Sequence, residues 1–218
     1  EMCIRDRDPD VQDPELVRRM RPSIIHVLGD AEECSRRLMG SGFVVSDDYV
    51  ITNAHVVAGT QTVRLDTKLG LKDATVVYYN PDVDVAVLHS RDLGIDPLPW
   101  AQTPAQTGDD AMVMGFPHSG PFDAEMARVR DRITISGPDI YSHGHVERDS
   151  YTVRGNIQQG NSGGPLVNTA GEVLGVVFGA SVDDSETGYA LTADEVNSQI
   201  GDVAQLTHPV DTGECVAH

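Results

Sequence analysis

Three short segments carry residue types that together could cleave an acyl bond. Gly160-Asn161-Ser162-Gly163-Gly164-Pro165 sets a serine between glycines, with a proline closing the run. Glycines allow a tight turn with the hydroxyl exposed, and let backbone N–H groups approach a reacting oxygen. Serine is a weak nucleophile and needs a base, most often His at neutral pH. Thr52-Asn53-Ala54-His55-Val56-Val57 supplies one. Asp82-Val83-Asp84-Val85-Ala86-Val87 offers a carboxylate to orient the imidazole. The chain order is His, Asp, Ser.

That order separates two ways of building the site. Gly160-x-Ser162-x-Gly164 also fits the nucleophile elbow of α/β-hydrolases, where acid and His follow the serine and a helix starts just after it. Asp183 and His208 formally complete such a set. However, Pro165-Leu-Val-Asn-Thr-Ala-Gly and then Glu172-Val-Leu-Gly-Val-Val-Phe read as strand, turn, strand. The elbow reading is disfavoured.

The segments that must hold these residues are short and apolar, divided by turn residues. Twenty-one glycines and twelve prolines favour an all-β chain. Strand-like runs fall at Ser23–Leu28, Gly42–Ser46, Tyr49–Thr52, Thr62–Asp66, Ala74–Tyr79 and Val83–Leu88. Thr62 to Asp66 alternates apolar and polar, as a half-buried strand does. A second set runs Asp110–Met114, Ala127–Arg130 with Ile133–Ile135, Ser150–Val153, Gly164–Val167, Val173–Phe178 and Gly188–Leu191. Pro97 to about Gly108 reads as the linker between the sets. Ala193–Ile200 reads as a short helix with Thr192 as N-cap.

The expected organisation is a tail over 1–21, one barrel over 22–105, a second over 106–200 and a C-terminal tail over 201–218. Glu15–Met20 reads as a short helix or a tether. Nothing after residue 200 is long enough for a PDZ domain. With 34 acids against 16 bases the net charge is −18. That argues against nucleic acid and anionic membrane surfaces as partners. No run of eighteen apolar residues exists, and no secretory signal pattern. His143-Gly144-His145 supplies too few ligands for a metal site.

Ser41-Gly-Phe-Val-Val, Thr52-Asn-Ala-His55, Asp84-Val-Ala-Val and Gly160-Asn-Ser-Gly-Gly-Pro resemble the chymotrypsin-like serine proteases, in the HtrA-like branch. Ser136-Gly-Pro-Asp-Ile-Tyr141, Gly175-Val-Val-Phe-Gly-Ala180 and Glu186-Thr-Gly-Tyr-Ala-Leu-Thr192 are similar to a narrower group. These are the membrane-anchored periplasmic proteases of actinobacteria linked with acid resistance, the MarP type. The resemblance implies a chymotrypsin-like double six-stranded β-barrel with a short C-terminal helix. The active site lies between the barrels, and peptide hydrolysis through an acyl-enzyme needs no metal or organic cofactor.

Carried over residue by residue, the resemblance makes Ser162 nucleophile, His55 base and Asp84, rather than Asp82, the orienting acid. The backbone N–H groups of Gly160 and Ser162 form the oxyanion hole. The position six before the serine is Asn156, a neutral pocket base that argues against strict Lys/Arg selection. Gly175, Val176, Val177, Phe178 and Gly188 are expected as pocket walls. Asn161 stands where many relatives carry Asp, so activation by a newly cut N-terminus is not expected.

The resemblance further implies an extracytoplasmic site and a membrane anchor upstream of this sequence. The substrates are then proteins or peptides of the cell envelope, a peptidoglycan hydrolase among them. Met2-Cys3-Ile4-Arg5-Asp6 resembles a translated sequencing adapter, so residues 1–7 are set aside. Of the three cysteines, that leaves Cys34 and Cys215, an even pair that reads as a disulfide in a secreted enzyme. A catalytically silent binding module and an esterase with the same triad are the competing functions.

Overall fold

The computed structural model describes residues 13–216. The adapter-like segment lies outside the described residues. Two closed six-stranded antiparallel barrels follow one another along the chain. The first contains β1 (Ile24–Ala31), β2 (Arg36–Ser46), β3 (Tyr49–Thr52), β4 (Thr62–Thr67), β5 (Gly70–Asn80) and β6 (Val85–His89), in the order β1-β2-β3-β6-β5-β4. The second contains β7 (Asp110–Gly115), β8 (Asp123–Gly137), β9 (Val146–Arg154), β10 (Pro165–Val167), β11 (Val173–Ala180) and β12 (Thr187–Thr192), in the order β10-β11-β12-β9-β8-β7. This is the all-β double barrel expected from the sequence.

Alternation explains how the strands close. In β4, Val63 and Leu65 are buried while Arg64 and Asp66 are exposed. Strand side chains alternate between faces, so one face lines a barrel and the other meets solvent. Val27, Val44, Val50, Leu65 and Leu88 fill the first barrel. Val113, Val129, Tyr151, Val153 and Leu166 fill the second. A third apolar cluster joins the two, with Phe43, Ile51 and Val85 meeting Met114, Val173 and Leu191.

Several boundaries differ from expectation. β8 is one continuous strand rather than two pieces. Its register shifts between Val129 and Asp131, and the exposed stretch around Asp131 and Arg132 hid the continuity. The linker is strapped to both barrels: Leu98 N–H donates to Val44 O, and Val173 N–H to Pro99 O. Trp100 packs edge-on against Phe43, centroids 5.9 Å apart.

Of the helix and the tether read for Glu15–Met20, the structure has the helix. Pro14–Met20 forms helix α1, capped by Asp13, whose carboxylate accepts from the N–H groups of Glu15 and Leu16. Such a cap stabilises by about 1 kcal/mol. Leu16 and Met20, four residues apart on one face, are buried in the inter-barrel cluster. Two apolar residues at helical spacing outweigh a polar composition.

Ala193–Ile200, the helix read from sequence, is α3 here; Thr192 Oγ1 accepts from Glu195 N–H, and Val196 and Ile200 are buried. Cys34 and Cys215 form a disulfide, so the tail after α3 straps back over the first barrel. Gly59 N–H donates to Thr212 O, and Tyr141 Oη to Glu214 O. No helix among the described residues is long and apolar enough to cross a membrane.

Candidate active site

His55 sits on a single helical turn, α2 (Ala54–Val57), at the end of β3. Sequence reading treated this stretch only as a motif after a strand. The turn is held by Asn53, whose Nδ2 donates to the Asp84 carbonyl at 2.9 Å. Asp84, expected inside the Val83–Leu88 strand, lies instead in the turn just before β6. Its φ is +69°, a left-handed conformation that costs about 1–3 kcal/mol in a non-glycine residue. Asn80 over-determines it. Its carbonyl accepts from Asp84 N–H at 3.0 Å, and its Oδ1 accepts from the N–H groups of Asp82 and Val83.

That turn aims the Asp84 carboxylate at His55 twice. Oδ1 accepts from the His55 backbone N–H at 2.9 Å and Oδ2 pairs with Nδ1 at 2.6 Å. The Asp84 side chain is 8% exposed and the His55 side chain 34%. Burial pushes the imidazole pKa down, but the charge and hydrogen bond of Asp84 outweigh it, and the net value lies above the ordinary 6.5. Asp82, the competing acid, is exposed and makes no such pair.

Arg148, which the sequence did not flag, reaches this turn from β9. Its buried guanidinium donates to the carbonyls of Asp82 and Pro138 and lies over the Phe178 ring, 5.7 Å from the centroid. These partners lie far apart in sequence, and no local pattern announces them.

The nucleophile turn approaches the His55 turn across the inter-barrel seam. A Cβ placed on Gly40 would meet the Val56 side chain at 2.6 Å and the Ser162 carbonyl at 3.2 Å, so both segments converge on β2. Gly163 has φ +89°, and a Cβ there would sit 2.0 Å from Ser41 O. Only glycine permits that approach. Ser41 N–H donates to Ser162 O and Gly163 N–H to Val177 O, fixing the turn from both barrels. The N–H groups of Gly160 and Ser162 have no acceptor among the described residues. Two free donors beside a serine can receive an oxyanion.

The expected pocket residues are dispersed. Asn156 is exposed, while its neighbour Ile157 is buried with its side chain against Gly188. Val176 and Val177 do not present side chains to a pocket. They are fully buried and point to opposite faces of β11, into the inter-barrel and second-barrel cores. Gly175 lies tight against Leu191 O. Phe178 is partly exposed beside Tyr189. His143 and His145 are exposed, and no group of metal-binding side chains forms among the described residues.

The comparisons agree with this architecture. The family described as "Trypsin-like peptidase domain" matches residues 40–176. Serine protease Rv3671c of Mycobacterium tuberculosis is 47% identical over 211 residues, covering 96% of this chain and 53% of that protein. The chain belongs to the trypsin-like serine peptidases. Serine protease HTRA1A of Danio rerio is 32% identical over 173 residues, covering 74% of this peptidase and 35% of that protein. The crystal structure of the Rv3671c protease in its active form superposes with a TM-score of 0.93 over 96% of this chain and 92% of that one, at 47% identity. The inactive form gives 0.80 over 92% and 97%, at 46% identity. The peptidase spans about half the length of the M. tuberculosis relative it matches.

Proposed function

We propose that this chain is the catalytic domain of an extracytoplasmic serine endopeptidase, with Ser162, His55 and Asp84 acting as one unit. The observation that carries the reading is the doubly bonded Asp84–His55 pair, whose segment meets near Gly40 a nucleophile turn with two unpaired N–H groups. Asp84 keeps the His55 proton on Nδ1, which leaves Nε2 free to take the Ser162 proton. Ser162 Oγ then attacks the scissile carbonyl. The N–H groups of Gly160 and Ser162 receive the oxyanion, and His55 returns its proton to the leaving amine. Water repeats the cycle on the acyl-enzyme.

The disulfide supports an oxidising compartment. The apolar Ile157 and Phe178, with a neutral Asn156, support selection of uncharged side chains at the cleaved position. Protein substrates of the cell envelope, a peptidoglycan hydrolase among them, and anchoring through segments outside this sequence rest on the family resemblance.

Ser162→Ala and His55→Ala should each lower kcat on a peptide substrate by about 10⁶. A fluorophosphonate should label Ser162 alone. Label at another residue, or retained peptide turnover in either variant, refutes the assignment. Turnover of esters without peptides in the unaltered chain would favour the esterase, and no turnover of either the silent module.

A further inference from the structure

Two hydrogen bonds set the two peptide planes that flank Gly160. His118 N–H donates to Gln159 O at 2.6 Å. In a planar trans peptide the carbonyl and the following N–H point in opposite directions. Holding Gln159 O on one side therefore aims Gly160 N–H to the other. The second bond comes from a side chain: Ser41 Oγ donates to Gly160 O at 2.7 Å, which fixes the next plane.

The same Ser41 oxygen accepts from Phe116 N–H at 3.0 Å. Phe116 opens the turn that presents His118 N–H, so one hydroxyl supports both bonds. The turn carries its own bonds from Ser119 N–H to Phe116 O and from Gly120 N–H to Pro117 O, and His26 Nε2 meets Ser119 Oγ at 2.8 Å, but it is strained. His118 and Ser119 have φ of 54° and 57°, left-handed values that cost about 1–3 kcal/mol each in non-glycine residues. A strained turn persists only where its neighbours over-determine it. The Ser41 side chain is well placed to do this, being fully buried with its backbone clamped by Ser162 O and by the Thr52 hydroxyl.

We propose that Ser41 is a positioning residue for the oxyanion hole. Its hydroxyl, bridging Gly160 O and Phe116 N–H, holds Gly160 N–H toward the substrate carbonyl. This inference rests on the assignment of Ser162 and Gly160 above. It gives a role to a first-barrel side chain that touches no substrate. Without the hydroxyl, Phe116 N–H loses its acceptor and Gly160 is freed to rotate. The donor then points at the oxyanion for only part of the time.

The test is Ser41→Ala in the full chain, with a peptide substrate, a peptide aldehyde and the cleaved product peptide. The aldehyde adds to the serine and places an oxyanion in the hole, whereas the product peptide does not. Deleting a hole donor costs about 10²–10³ in kcat, so misaiming one that remains should cost about 10- to 100-fold. KM should stay within about twofold, since the hole acts on the transition state. Aldehyde affinity should fall in step with kcat/KM, with product affinity and the acid limb of the pH profile unchanged.

Ser41→Cys, retaining a weak donor, should recover part of the loss. If Ser41→Ala does not fold by circular dichroism, Ser41→Cys carries the same comparison against the unaltered chain. Unchanged kcat, equal losses for aldehyde and product, or a fall confined to KM each overturn the proposal. Aldehyde adduct surviving Ser162→Ala overturns the nucleophile assignment instead, so the two failures are distinguishable.

Discussion

Asp84→Asn tests the base directly, and its outcome follows from the hydrogen bonds. Asp84 uses both oxygens on His55, one on the backbone N–H and one on Nδ1. Asparagine has a single oxygen. If it stays with the backbone N–H, the new NH₂ faces Nδ1, which must then become an acceptor. The ring proton moves to Nε2, the nitrogen that must take the Ser162 proton, and the base is lost at neutral pH. The expected loss in kcat is roughly 10⁴, or about 5.4 kcal/mol of transition-state stabilisation. A second effect is independent of the tautomer. His55 must be neutral to act, and its pKa lies above 6.5 only because Asp84 outweighs burial. In the unaltered chain kcat/KM should therefore fall with acid at a midpoint above 6.5. In Asp84→Asn only burial remains, and the midpoint of the residual activity should drop below 6.5. The assay is kcat/KM on a chromogenic peptide from about pH 5 to 9, with Asp82→Asn as the control. The Asp82 side chain is exposed, and its variant should stay within about twofold, as surface changes do. An Asp84→Asn variant within tenfold of the unaltered chain, or one whose acid limb stays put, would refute the reasoning.

Two further outcomes follow from the packing. The disulfide closes a span of 181 residues, and chain entropy sets an upper limit of about 5 kcal/mol on its contribution, so Cys34→Ser or reduction should lower Tm. An unchanged Tm on reduction would show that the tail's hydrogen bonds suffice. Leu16→Ala opens a cavity in the inter-barrel cluster and should destabilise by about 2–5 kcal/mol in denaturant unfolding. Arg18→Ala on the exposed face of the same helix should change stability by less than about 0.5 kcal/mol; equal effects would mean that α1 is not docked.

The sequence carried the chemistry better than the supports. Ser162, His55 and Asp84, the proposed catalytic set, stand out in sequence because each sits in a short motif whose local composition needs a reason: glycines around a serine, a histidine after a strand, an acid among valines. What presents Asp84 was not legible. Asn80 acts through a turn that reads in sequence as an ordinary Asn-Pro-Asp loop, and Arg148 acts across 66 residues. The α1 packing was available in the Leu16/Met20 spacing, but the charges and prolines around it obscured the signal. Alternation, which sends adjacent strand residues to opposite faces, leaves only the backbone of Val176 and Val177 to wall a pocket.

Two of the supports, Ser41 and Arg148, cross between barrels. Ser41 belongs to the first barrel and grips the nucleophile turn of the second through Ser162 O and Gly160 O. Arg148 belongs to the second and grips the Asp84 turn of the first through Asp82 O. Each barrel thus grips the other's segment of the proposed site. The apolar cluster between them supplies the cohesion, but it is non-directional and fixes no hydrogen-bond geometry. Direction comes in part from two buried polar side chains, a hydroxyl and a guanidinium, each bonded to a backbone carbonyl on the opposite side of the seam. A chain whose proposed catalytic residues arrive from two closed barrels needs such reciprocal ties, because closure satisfies most strand hydrogen bonds within each barrel and leaves side chains, loops and a few stray backbone groups to define how the two meet.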